Sequence, residues 1–175
     1  MAGRIAQVNV SPGGVPKRPV PEARVTPLGI EGDGHRDRER HGGPERALCL
    51  FALERIEALR AEGHRVEPGA LGENLTVAGL DWLAVAAGDC FVVGDAVVIQ
   101  VTRFTSPCAN IRGAFRDGDS SRVSQKRHPG WSRVYARVLR PGEIRTGDPV
   151  VPLDPAEAAR RVTLAGRAAG PRAGA

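Results

Sequence analysis

Short apolar stretches recur through this chain at 75–77, 83–85, 90–93, 96–102, 132–138 and 150–151, with Gly-Asp turns at Gly88-Asp89, Gly94-Asp95 and Gly147-Asp148. That punctuation restricts the fold more than any other feature. Closely spaced short strands leave no room for the long crossovers a parallel βαβ sheet needs, so they read as a barrel or sandwich. The start, GRIAQVNV at 3–10, alternates apolar and polar residues as a half-buried strand does, and SPGG then marks a turn. Pro16, Pro19 and Pro21 confine any strand over 15–26 to an edge or break it.

One helix interrupts the pattern. Gly43, Pro44 and Glu45 make a helix start, since proline is tolerated in the first turn and an acid favours it. Leu48, Phe51, Leu53, Ile56 and Leu59 then fall on roughly one side, and Gly63 supplies a stop, which predicts a main helix over about 44–62 carrying Cys49. Asp154 and Pro155 open a short final helix over 156–164, followed by a frayed stretch of Gly, Ala, Pro and Arg. The expected fold class is mostly β with helices (α+β): a mostly antiparallel barrel over 1–153, then a short helix and flexible tail over 154–175.

A chain of 175 residues with 41% hydrophobic residues can close one core. No apolar run approaches the roughly 20 residues that span a bilayer, and MAGRIAQVNV lacks a secretory layout, so a cytoplasmic protein with no membrane partner is expected. Cys49, Cys90 and Cys108 are odd in number and widely spaced, which suits a reducing compartment and argues against a structural zinc site. The net charge is +5, yet residues 156–175 hold Arg160, Arg161, Arg167 and Arg172 against Glu157 alone, so the body is only mildly basic. With 4% aromatic residues there is little to stack on bases, and no specific nucleic-acid partner is expected.

Cys108 sits in TRFTSPCANI, just past a strand and before a helical turn, where a thiolate can ligate a soft metal or attack a sulfur donor. The plainer reading is a small buried hydrophobe, and it suits Cys49 and Cys90 better. The loop 32–43 gathers Asp33, His35, Asp37 and His41 among arginines without matching a metal-binding spacing, so a solvated charged loop remains open. Arg46, near a helix start, and Lys17, after Gly13-Gly14, are candidate anion holders, although basic surface residues explain both as well. Asn74, in GENLTV, is either a turn residue or an amide offering donor and acceptor to a heterocycle.

Taken in order, VSPGGVPKRPV at 10–20, GIEGDGHRDRERHGGPERALCLF at 29–51, GALGENLTVAGLDW at 69–82, the turn at 88–89, TSPCANI at 105–111 and HPGWSRVYARV at 128–138 resemble standalone bacterial members of the MOSC family, of the 6-N-hydroxylaminopurine resistance type. The resemblance implies a β-barrel related to the C-terminal region of molybdenum cofactor sulfurases, binding a molybdopterin-type cofactor through Cys108. It implies reduction of N-hydroxylated bases or related small molecules, with an Asp, His and Cys set falling on Asp33, His41 and Cys108. His41 would donate the proton, with Asp33 orienting it. Lys17, Arg46, Asn74 and Arg103 are the candidates for holding the pterin and phosphate. No Fe–S cysteine set or G-x-G-x-x-G fingerprint is seen, so a separate electron-donor protein is expected; pyridoxal phosphate is not expected, and a homodimer is left open. Two alternatives stand beside this: a sulfur or cofactor carrier with a persulfide on Cys108, and a noncatalytic binding module.

Overall fold

A computed structural model describes residues 1–34 and 42–168. Its strands are β1 (Gly3–Val10), β2 (Arg18–Val20), β3 (Glu22–Thr26), β4 (Gly29–Ile30), β5 (Leu48–Ala52), β6 (Leu75–Ala78), β7 (Cys90–Val93), β8 (Val97–Phe104), β9 (Val134–Arg140), β10 (Gly142–Arg145) and β11 (Pro149–Leu153), with helices α1 (Leu53–Ala61) and α2 (Pro155–Ala168). Seven strands follow one another as β11-β7-β8-β9-β5-β6-β1, and a further β1–β11 pairing closes them into a barrel. Closure removes the exposed edges that an open sheet would leave.

β1 makes that closure and also opens it. Gly3 and Arg4 pair with β11, whereas Val8–Val10 pair with β2, so β1 leaves the ring towards its C-terminal end. β3, β4 and β10 form a separate small sheet in the order β10-β3-β4. The barrel interior is filled from alternate positions of each strand, including Ile5, Leu48, Leu50, Leu75, Ile99 and Val134, all buried.

The predicted helix over 44–62 is shorter than expected. Pro44–Arg46 form a 3-10 turn, LCLFA is strand β5, and α1 begins only at Leu53. Every residue of β5 is buried, because it lies between parallel β6 and antiparallel β9 with the barrel interior on one face and cover on the other. A continuous apolar run of that kind carries no alternation, so periodicity cannot separate it from a buried helical turn. Cys49 is therefore a strand residue. The stop at Gly63 holds: its φ is +87°, and His64 N–H donates to Leu59 O at 3.0 Å as the chain leaves the helix.

The stretch 83–85 is a turn rather than a strand, with Trp82 and Val85 buried and Leu83 exposed. Trp82 packs edge-on against Phe51 and donates to Ser132 O at 3.0 Å, so the turn is pinned by one aromatic ring. α2 continues through Ala168, beyond the predicted end at 164, and buries Ala158 against Cys90 and Val98 on the outer barrel wall. Among the described residues, no helix is long and apolar enough to cross a membrane.

Candidate functional site

β5 and β9 run side by side with Cys49 directly opposite Tyr135. Leu48, Leu50, Val134 and Ala136 belong to the core, so Cys49 and Tyr135 between them face the other side of the wall, joined by Arg133 just ahead of β9. There they form the floor of a cleft that opens to solvent. The loop after β1 gives one wall, with Gly14, Val15 and Lys17; the loop after β8 gives the facing one, with Ser106, Cys108 and Asn110. Arg46 and Asn74 complete it. Lys17, Arg46 and Arg133 are cationic, and among the described residues no carboxylate lines the cleft.

Cys108 lies four residues past β8 and immediately precedes the 3-10 segment Ala109–Ala114. It is half-buried, packing partly on the core while bordering the cleft. Cys49, below it on the floor, is 5% exposed, and burial pushes its thiol up to about 11 against the opposing charge of Arg133. A thiol held that high stays protonated at neutral pH, so Cys49 is poorly suited to ligate a metal as thiolate.

Behind the Lys17 wall stands a buried polar cluster. Lys17 Nζ donates to Asp33 Oδ2, and these side chains are only 6% and 2% exposed. Asp33 also accepts from Ser11 N–H at 2.9 Å and from Asn74 Nδ2 at 2.8 Å. Asn74 in turn accepts from Cys49 N–H at 3.0 Å through Oδ1. The end of β1, the lead into β6 and the floor strand β5 are thus joined through one carboxylate and one amide. Gly69 permits the approach of the Lys17 segment: its O accepts from Lys17 N–H at 2.9 Å, and a Cβ at Gly69 would collide with Lys17 O.

Beneath Arg133 lies a second buried group. Arg133 Nη1 donates to Leu71 O, whereas its Nε is buried without a hydrogen-bond partner among the described residues. Glu73, fully buried, accepts from Gly69 N–H at 2.6 Å and Thr76 Oγ1 at 3.2 Å through Oε1, and its Oε2 has no partner among the described residues. Burial pushes the Glu73 carboxyl above its usual range, opposed by the Gly69 N–H and by Arg133. A carboxyl raised in the folded state adds stability below its unfolded value, near 4.5, and that stability is lost as pH rises towards the folded value. Glu73→Gln, which mimics the protonated acid, is therefore expected to match the parent chain in urea midpoint at acidic pH and exceed it increasingly from about pH 5 upward. A parent chain at least as stable as the variant at pH 8 would contradict this.

Of the residues singled out from sequence, Cys108, Lys17, Arg46 and Asn74 meet at the cleft, and Asp33 stands directly behind Lys17. Arg103 does not join them: it pairs with Tyr135 on the β8–β9 ladder, but its side chain is exposed and outside the cleft lining. His35, Asp37 and His41 lie outside the described residues. The sequence assigns no site role to Arg133 or Tyr135 and reads Cys49 as a small buried hydrophobe. The alternation in SRVYARV was a usable signal, because it sets Arg133 and Tyr135 on the face opposite Val134 and Ala136.

The model of the MOSC domain matches residues 37–151. The chain belongs to the MOSC family. Like this MOSC chain, the uncharacterized protein YflK of Bacillus subtilis (strain 168) carries the matching region, 36% identical over 136 residues that cover 77% of this chain and 60% of YflK. A protein named "Reductase" from Gibberella moniliformis (strain M3125 / FGSC 7600) is 32% identical over 128 residues, covering 70% of this chain and 22% of that one. The crystal structure of YiiM from Geobacillus stearothermophilus superposes with a TM-score of 0.69 at 27% identity, over 87% of this chain and 75% of the other. The chain spans about 60% of the length of the curated bacterial relatives it matches. MOSC domains in general are associated with the molybdenum cofactor.

Proposed function

We propose that this MOSC chain binds a molybdenum cofactor in the cleft, with Cys108 as the metal ligand, and reduces N-hydroxylated bases or related compounds using electrons from a separate donor protein. The observation that carries the reading is a half-buried thiol sharing an open, cation-lined cleft with no carboxylate among the described residues. The donor set suits an anionic, sulfur-rich group: a soft sulfur for the metal, Lys17 and Arg46 for phosphate and pterin oxygens, and a buried Arg133 Nε with no hydrogen-bond partner among the described residues. The name of the fungal relative agrees with reductive chemistry. When bound, the cofactor supplies two-electron redox chemistry at the substrate oxygen.

The protein's own groups do the rest. Arg133 takes the anion-holding part expected of Arg103, whose side chain is directed elsewhere. Asn74 shapes the wall, because its amide is engaged with Cys49, Asp33 and the Asn9 carbonyl. Asp33 holds the Lys17 side chain in place through their buried ion pair, and His41 is the proton donor. Removal of oxygen from R–NH–OH takes two electrons and two protons and yields R–NH₂ and water.

The test is elemental analysis of chain purified from a host that makes molybdopterin, together with turnover of 6-N-hydroxylaminopurine by reduced viologen. Near-stoichiometric molybdenum, absent from Cys108→Ala, is the expected result. A reducible gain of one sulfur on Cys108 without molybdenum would overturn it in favour of a persulfide carrier.

A further inference from the structure

Resting on that reading, we infer that Tyr135 is a substrate-binding residue of the reaction, its phenol donating a hydrogen bond to the N–OH oxygen within the cleft. The motif HPGWSRVYARV contains this residue without giving it a role; the fold gives it one. β9 directs it away from the core face held by Val134 and Ala136, and the β5–β9 register sets it opposite Cys49. It lines the same cleft as Cys108, and the electrostatic influence of both thiols, of Arg46 and of Arg133 reaches its phenol. The Arg46 guanidinium lies over the ring at 5.8 Å, holding one face, while Thr102 Oγ1 donates to Tyr135 O at 3.2 Å, tying its backbone to β8. The donor is therefore set on rigid strand rather than on a loop.

The chemistry asks for such a group. As the N–O bond accepts two electrons from the reduced donor and breaks, the oxygen gains negative charge, takes one proton and departs as water, and the nitrogen takes the second proton. A donor already fixed beside that oxygen costs no reorganisation as the charge develops. It must also hold its proton at rest. Burial, opposed by Arg133 and Arg46, pushes the Tyr135 phenol up to about 12, so it is neutral and able to donate throughout the physiological range. The phenol keeps its proton across the cycle; it strengthens a hydrogen bond and supplies neither proton of the balance.

The chain has a single tyrosine, which gives a direct readout. In the molybdenum-loaded protein labelled with carbon-13 at tyrosine Cζ, 6-N-hydroxylaminopurine is expected to move the one labelled resonance under non-reducing conditions. Adenine, the same purine without the oxygen, leaves it in place. Tyr135→Phe keeps the ring under Arg46 and is expected to lower kcat about 100-fold or more while KM changes by less than about tenfold, with molybdenum content unchanged. A resonance indifferent to the N-hydroxylated purine, or a kcat within about threefold of the parent chain, overturns the role of Tyr135 while leaving the cofactor reading intact. A parent chain free of molybdenum and inactive overturns both. Should Tyr135→Phe fail to fold, the resonance in the parent chain decides alone.

Discussion

Asp33→Ala is expected to lower the unfolding free energy by about 3–5 kcal/mol, the range found when one partner of a buried ion pair is removed. The cause is what remains behind. Lys17, 6% exposed, would keep its ammonium without its carboxylate, and the Ser11 N–H and one Asn74 amide hydrogen would lose their acceptor. For a domain of this size that corresponds to roughly 6–20 °C in melting temperature. Urea and thermal unfolding of parent and variant check the value, and a loss below about 1 kcal/mol would mean that Lys17 reaches solvent through the cleft. Adding Lys17→Met to the variant separates charge from packing: with no orphaned ammonium, much of the loss is expected to return. Because Asn74 also holds Cys49 N–H, the single variant is expected to loosen the cleft floor and to weaken retention of the proposed cofactor at stabilities where most chains are still folded.

Cys108→Ala is expected to lower kcat/KM for N-hydroxylated substrates by at least about a thousandfold, while changing stability little. The two halves belong together. Cys108 is only half-buried and caps no helix through its side chain, so trimming it to alanine removes few contacts. As the proposed metal ligand, by contrast, it has no substitute among the cysteines: Cys49 is held as a protonated thiol by burial, and Cys90 lies on the far side of the wall beneath α2. Steady-state turnover with reduced viologen, beside unfolding curves, checks both. Cys90→Ala is the control and is expected to turn over like the parent chain. If Cys108→Ala retained a tenth or more of parent activity, Cys108 would not be the metal ligand.

The limits of sequence reading show at particular residues. The rim position of Cys108 was legible because its cue is local: an apolar strand, a proline, then a turn that raises the next side chain to the rim. Tyr135 and Arg133 were half-legible, since alternation assigns them a face but cannot say that the face is roofed by the β1 and β8 loops. LCLFA was misread because a strand buried on both faces loses the alternation that would identify it, and the helical spacing of α1 extends smoothly backwards into it. Arg103 shows the reverse error. It neighbours the right strand, yet an irregularity in the β8–β9 register between Val101 and Arg103 alters the local alternation, and the side chain emerges in solvent.

From its residues alone the chain is determined to be a barrel of short strands with a MOSC order of motifs, because strand length, turn chemistry and motif order are properties of neighbouring residues. The tertiary structure alone decided that Lys17 meets Asp33, that Asn74 holds the backbone of Cys49, and that Cys108, Arg133 and Tyr135 share one hollow. Those meetings depend on how the ring of strands closes and in which register, and ring closure is set by the packing of the whole core rather than by any segment of it.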